Sequence, residues 1–198
     1  MITDLPKCYT SMNFFNEVFS MQIRQLFNHS HRRRHWLSAK RRPPLTSHWR
    51  QWLCQRRSLT ESLRRASEDQ FSVRLLSLQA ALPNPDEAAL LGIPTNRRVL
   101  IREVELIGKN QVWVYARTVI PDATLRVCHR HIYQLGNRSL GSMLFSNPAI
   151  QRGTIEVSRI QAGCIDYPAR RSRFYIKQHP LLVTEVFLPI MADIPFPE

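Results

Sequence analysis

Residues 99–121 read VLIREVELIGKNQVWVYARTVIP. Two apolar runs flank Gly108-Lys109-Asn110, a Gly/Asn turn signal, and this spacing predicts a β-hairpin. Side chains alternate across a strand with period two. Leu100, Val104 and Leu106 therefore share a face with Arg102, while Val99, Ile101 and Ile107 share the other with Glu103 and Glu105. A guanidinium in the middle of the more apolar face is costly to bury alone and at neutral pH cannot escape by losing its proton. Arg102 needs an anion, from a protein carboxylate or from a ligand. The plainer alternatives are a structural ion pair or an edge-strand arginine whose head reaches water.

Outward from the hairpin, the pattern is mixed. On the N-terminal side, residues 46–53 carry Trp49, Trp52 and Leu53 at helical spacing. Ser58 followed by Glu61 reads as a capping box, with Leu59, Leu63 and Ala66 along one stripe of the helix it starts. Residues 71–82 read as a strand broken by Pro83-Asn84-Pro85, and residues 86–91 as a helical turn ending at Gly92. On the C-terminal side, residues 122–147 read as helix, with Ser139 as the cap of a short helix over 139–145. Asn147-Pro148 stops it. Residues 153–161, 171–178 and 181–190 read as strands, with His179-Pro180 as the turn between the last two. The tight turns require antiparallel pairs. The expectation is an α+β domain over residues 46–198, with a roughly six-stranded antiparallel sheet and helices over one face.

The 198 residues are 43% hydrophobic, enough for one real core. No run approaches a transmembrane span and no cleavable leader opens the chain, so a soluble protein that is not secreted by the usual route is expected. Cys8, Cys54, Cys128 and Cys164 are scattered without a CxxC, which points to free thiols in a reducing compartment. Residues 1–58 hold +9 of the net +13. Residues 11–28 have a moderate amphipathic helix signal, for a helix that packs on the body, touches a membrane surface or is non-native upstream sequence, and 29–44 read as a basic, Pro-containing arm. Residues 1–45 are expected to form a partly disordered extension, either a solvated arm, a transit-type peptide, or a weak contact for nucleic acid or a membrane surface.

Motifs for common chemistries are absent. There is no P-loop, GxGxxG or HExxH, and only six glycines. His29/His31 and His129/His131 lack neighbouring Cys, Asp or Glu ligands, so no metal is expected. Chemistry would fall to arginine, glutamate and backbone donors. Ser58 and Ser139 each cap a helix whose first N–H groups attract anions. Glu185 is the second odd charge, within an apolar strand beside Val183 and Phe187. It is either paired with Arg102 or Arg117, or functional.

The stretches IREVEL (101–106), ARTVIP (116–121), SLGSMLF (139–145), RRSRF (170–174) and LLVTEVFLP (181–189), in this order, resemble the chorismate pyruvate-lyase family over roughly residues 46–190. SLTESLRR (58–65) matches more weakly. The resemblance implies a cofactor-independent carbon–oxygen lyase that removes pyruvate from chorismate and leaves 4-hydroxybenzoate, the first step toward ubiquinone in bacteria. It implies that Arg102 grips the ring carboxylate, aided by backbone N–H groups at Leu59 and Leu140. Glu185 would meet the 4-hydroxyl, and Arg117 would orient the enolpyruvyl carboxylate. Leu59 stands where relatives often carry Met. Ala116 stands where they often carry Gly, and its methyl narrows the pocket. A cytoplasmic monomer with no specific nucleic-acid partner is expected. The alternative is a non-catalytic effector-binding domain of the same fold, as in bacterial transcription regulators, which normally follows a winged-helix domain of about 70 residues. The 45 residues here are too few for one. A nucleic-acid-binding body would need interleaved bases and aromatics, whereas the basic excess sits in the arm.

Overall fold

Among the residues that the computed structural model describes (Gln25, Phe27, 35–41, 43–162 and 165–197), seven strands form one sheet. They are β1 (Leu37–Ser38), β2 (Phe71–Ala81), β3 (Val99–Gly108), β4 (Gln111–Ile120), β5 (Gln151–Ala162), β6 (Ile165–Ile176) and β7 (His179–Phe187). Their spatial order is β1-β5-β6-β7-β4-β3-β2, and every neighbouring pair is antiparallel. Within residues 43–197 the described α-helices are α1 (Ser47–Cys54), α2 (Leu59–Ala66), α3 (Pro85–Leu91), α4 (Asp122–Tyr133) and α5 (Leu140–Ser146). Among the described residues, no helix is long and apolar enough to cross a membrane. Cys54 and Cys128 are free thiols, and Cys8 and Cys164 lie outside the described residues.

The hairpin turns through Lys109 and Asn110, both at positive φ, between the paired residues Gly108 and Gln111. Gly108 is thus a strand residue. Its missing side chain makes room for Trp113, whose ring would lie 2.6 Å from a Cβ at position 108. The last hairpin turns at Lys177 and Gln178, not at His179-Pro180 as expected. His179 already pairs with Ile176, and Pro180 with Tyr175. β6 begins six residues before the strand expected from sequence at residue 171.

One sheet face carries Leu100, Arg102, Val104 and Leu106, and α1, α2, α4 and α5 pack over it. Trp52, Leu53, Leu59 and Leu63 pack with Val104, Leu106 and Ala116 at one end. Cys128, Ile132, Leu140 and Leu144 pack with Leu100, Phe174 and Leu181 at the other. The helices were expected on one face only, but α3 lies on the other. There Leu91 packs against Val99, Ile101, Val119 and Leu182. This second face is as deeply buried as the first, because β3 and β4 are covered on both sides.

Part of the supposed arm helps to cover it. Leu37 pairs with Val157 at the sheet edge, and Trp36 donates its indole N–H to Asp86 at 3.0 Å. The guanidinium of Arg171 lies 4.3 Å from the centre of the Trp36 ring. Gln25 and Phe27 are helical, and Phe27 is buried against Tyr115. The remainder of the helix expected over 11–28 lies outside the described residues. A composition dominated by arginine concealed these few apolar anchors.

Candidate active site

Between the first face and the helices lies a small cavity. Four of the five residues expected to form a site line it: Leu59, Arg102, Leu140 and Glu185. Ladder register brings the two charged ones together. Arg102 on β3 pairs with Thr118 on β4, which pairs with Val183 on β7, two residues from Glu185. Ala116 also lies in the wall.

Arg102 is 2% exposed, and no carboxylate pairs with it among the described residues. Its Nη2 donates to the carbonyl oxygens of Gly136 at 3.0 Å and Arg138 at 2.8 Å, in the loop between α4 and α5. These bonds orient the guanidinium without neutralising it. Burial pushes its pKa down to about 10. It therefore remains a cation at neutral pH, and an anionic ligand would offset the cost of its desolvation.

The two expected helix starts do meet at the cavity. Ser58 caps α2 by accepting from the Glu61 N–H. Glu61 does not complete the expected capping box and reaches Arg65 instead. Ser139 occupies the N-cap position of α5, but its hydroxyl shares a 2.5 Å hydrogen bond with Thr60 on α2 and caps nothing. The first N–H groups of α5 are left without that acceptor. Gly141 allows this approach, since a Cβ there would lie 2.7 Å from Thr60 Oγ1.

Glu185 pairs with neither Arg102 nor Arg117. Its partner is Arg170, directly opposite on β6, whose Nε donates to Glu185 Oε2 at 2.5 Å. Arg170 Nη1 is anchored to the carbonyls of Trp52 at 3.0 Å and Gln55 at 3.3 Å. A further arginine, Arg152 on β5, lines the cavity. Its guanidinium lies 5.7 Å from the ring centre of Phe145 and 5.3 Å from that of Phe174. Its Nε donates to Ser172 Oγ at 3.0 Å, and Nη1 to the Arg56 carbonyl at 3.4 Å. Burial, followed by repulsion from Arg170, brings its pKa down to about 10 against the opposing pull of Glu185. Sequence reasoning did not single out Arg170 or Arg152. The signal available for Arg170 was its alternation with Ser172 and Phe174, on the same face of the strand.

Arg117 is the expected site residue that the fold places elsewhere. It pairs in register with Glu103, so it occupies the second face. There Nε donates to Glu87 Oε1 at 2.9 Å and Nη1 to Glu103 Oε1 at 3.0 Å. Tyr115 donates to the same Glu103 oxygen at 2.6 Å. Burial opposes the Arg117 cation, but Glu87 foremost, then Tyr115 and Glu103, outweigh it and raise its pKa. A sheet one residue thick separates Arg117 from the cavity, and its charge is already neutralised by protein carboxylates.

Among the described residues, no three His, Cys, Asp or Glu side chains gather into a metal site. The cavity instead offers apolar walls, two uncompensated arginines at separate places, one carboxylate held by a third arginine, and helix starts.

The family model described as Chorismate lyase matches residues 30–194. A probable chorismate pyruvate-lyase from Chromohalobacter salexigens is 42% identical over 170 residues, which cover 80% of this chain and 90% of the relative. A probable chorismate pyruvate-lyase from Marinobacter nauticus is 38% identical over 148 residues, covering 74% and 79%. Among solved structures, the C-terminal domain of histidine utilization repressor from Pseudomonas syringae pv. tomato is similar over 60% of this chain and 92% of that one, with 12% identity and a TM-score of 0.47. The family match begins inside the stretch read as an arm, where Trp36 and Leu37 are built into the sheet edge.

Proposed function

The chain belongs to the chorismate lyase family, and from that premise we propose that it converts chorismate into 4-hydroxybenzoate and pyruvate in its central cavity. The observation that carries this reading is Arg102, a buried cation with no counter-charge paired to it among the described residues, in the wall of a largely apolar cavity. A planar aromatic acid suits such a space, with its ring between apolar walls and its carboxylate on the guanidinium. Backbone N–H groups at Leu59 and Leu140 add donors at that end, and Glu185 receives the 4-hydroxyl at the other.

The chemistry needs little from the protein beyond conformation and charge. The C3–O bond breaks with its electron pair going to the enolpyruvyl oxygen, and the C4 hydrogen leaves as a proton. The ring becomes aromatic, which drives the step. The enolpyruvate then takes a proton on its methylene carbon to become pyruvate, so no atom is added and no electron acceptor is required. The site contributes by holding the reactive conformer and by countering the developing negative charge. The test is to incubate the purified protein with chorismate and follow 4-hydroxybenzoate by its ultraviolet spectrum. Its appearance at a rate proportional to enzyme supports the reading, and its absence overturns it.

A further inference from the structure

The charges that line the cavity do not cancel. Among the described residues they are the cations Arg102, Arg152 and Arg170 and the carboxylate of Glu185. Arg170 and Glu185 neutralise each other, and the other hydrogen bonds of Arg170 run to the backbone of the α1 end, away from any ligand. Two guanidinium groups are left, Arg102 and Arg152, and neither has a carboxylate partner among the described residues. A site built for a monoanion such as 4-hydroxybenzoate needs one of them. A dianion needs both.

Their positions follow the order of strands. Arg102 is on β3, Glu185 on β7, Arg170 on β6 and Arg152 on β5, so the two free cations approach the cavity from opposite sides with the Glu185–Arg170 pair between them. Chorismate carries one carboxylate on the ring and a second on the enolpyruvyl ether at C3, next to the C4 hydroxyl. With the ring carboxylate on Arg102 and the 4-hydroxyl at Glu185, the ether leaves the ring next to the 4-hydroxyl, at the Glu185 end, and Arg152 is the other lining cation near enough to feel the charge of Glu185.

On the basis of the lyase reading above, we infer that Arg152 binds the second carboxylate of the substrate, the one on the enolpyruvyl group. This is the role that the family resemblance assigned to Arg117, which lies on the other face of the sheet with two carboxylates of its own. Phe145 and Phe174 flank the Arg152 guanidinium, and Ser172 fixes its Nε. It is thus held in place with no carboxylate hydrogen-bonded to it among the described residues, as Arg102 is, while Glu185 acts on it only at a distance. Its charge acts where the electron pair of the breaking C3–O bond goes, onto the oxygen next to the carboxylate it holds. Once the bond is broken, 4-hydroxybenzoate has no group for Arg152, and each product is held by one arginine.

The probe is 3-(carboxymethoxy)-4-hydroxybenzoate, a stable dianion with its second carboxylate on an ether at C3, compared with 4-hydroxybenzoate by calorimetric titration. The wild-type protein should bind the dianion roughly tenfold to a hundredfold more tightly, the usual worth of a hydrogen bond to a charged group. Arg152→Gln should lose that advantage to within about threefold, keep its affinity for 4-hydroxybenzoate, and lower kcat/KM for chorismate by about a hundredfold, on the order of two such bonds' lower limit. Arg152→Lys should recover part of the advantage, because it restores charge without the planar fork. It also serves as the test should the glutamine variant misfold. A dianion advantage that survives in either variant beyond that partial recovery overturns the assignment. So does a parallel loss of both ligands, or a wild-type protein that does not discriminate between them. Chorismate left unconverted by a protein that still prefers the dianion would sink the lyase reading and leave the second anion site standing.

Discussion

Arg170 and Glu185 face each other across β6 and β7, with Nε and Oε2 2.5 Å apart, and the glutamate's other oxygen makes no hydrogen bond to protein among the described residues. The arginine side chain is 1% exposed and the glutamate's 14%. The pair therefore fixes a carboxylate at the cavity wall while leaving one oxygen for a ligand. Glu185→Gln would strip Arg170 of its counter-charge inside the protein. Removing one partner of a buried pair costs about 3–5 kcal/mol, and the amide still accepts one bond, so a loss of about 2–3 kcal/mol is expected. Urea unfolding of the variant without ligand would read this directly. Unchanged stability would mean that the pair does not hold the glutamate.

Arg102 should behave in the opposite way. Arg102→Met removes a buried charge that has no carboxylate partner, so the unliganded melting temperature should hold or rise. Affinity for 4-hydroxybenzoate should fall by at least tenfold, since a hydrogen bond to a charged group contributes about 1.5–3 kcal/mol. Melting temperature and calorimetric affinity on the same preparation check both halves. A large loss of stability with affinity intact would make Arg102 a structural residue.

The pH dependence of Arg102 has a defined sign. Its pKa in the folded protein, about 10, lies below that of the unfolded chain. The unfolded state therefore binds more protons above about pH 9, and this group's contribution to stability rises with pH between about 10 and 12.5. Anion binding needs the cation and should weaken over the same rise. Benzoate, which has no phenol to titrate, is the suitable ligand. Its affinity should be flat from pH 7.5 to about 9 and fall by pH 10.5. Constant affinity through pH 10.5 at fixed ionic strength would contradict the assignment of its carboxylate to Arg102.

Arg117→Met would take from Glu87 and Glu103 the guanidinium that they share, with both side chains almost fully buried. A loss of about 3–5 kcal/mol is expected. The folded fraction should bind 4-hydroxybenzoate normally, because Arg117 is across the sheet from the cavity. Weakened binding by well-folded Arg117→Met protein would show that the second face acts on the site.

Gly141→Ala would place a methyl 2.7 Å from Thr60 Oγ1. Alanine is the better helix former by about 1 kcal/mol, but the contact forces α2 and α5 apart at their starts. The expected result is weaker product binding. Adding Thr60→Ala to remove the clashing hydroxyl should restore part of it. A double-mutant cycle that shows no coupling between the two positions would rule out this contact as the reason for the glycine.

Local periodicity made the hairpin and the placement of Arg102 legible, because alternation decides a strand face without knowledge of the remainder. The two helix starts were legible from Ser58 and Ser139, although Ser139 spends its hydroxyl on Thr60, a partner 79 residues away. Long-range register decided what remained hidden. Arg102 pairs with Thr118, so Arg117 must share the face of Glu103, a parity that motif resemblance does not convey. Arg170 and Arg152 acquire meaning only when β5, β6 and β7 stand side by side. Pro168 and the consecutive charges Arg170-Arg171 obscured the first half of β6, since a proline and paired arginines rarely mark a buried strand. Trp36 and Leu37 were hidden by the arginines around them.

Measuring both products of chorismate turnover in the presence of EDTA, for the wild-type protein and Arg102→Met side by side, tests the central claim most directly. The wild-type protein should release 4-hydroxybenzoate and pyruvate in equal amounts, undiminished by the chelator, and Arg102→Met should lose at least tenfold in kcat/KM. Arg102→Met turning over chorismate at the wild-type rate, or a wild-type protein that yields neither product, would contradict the account.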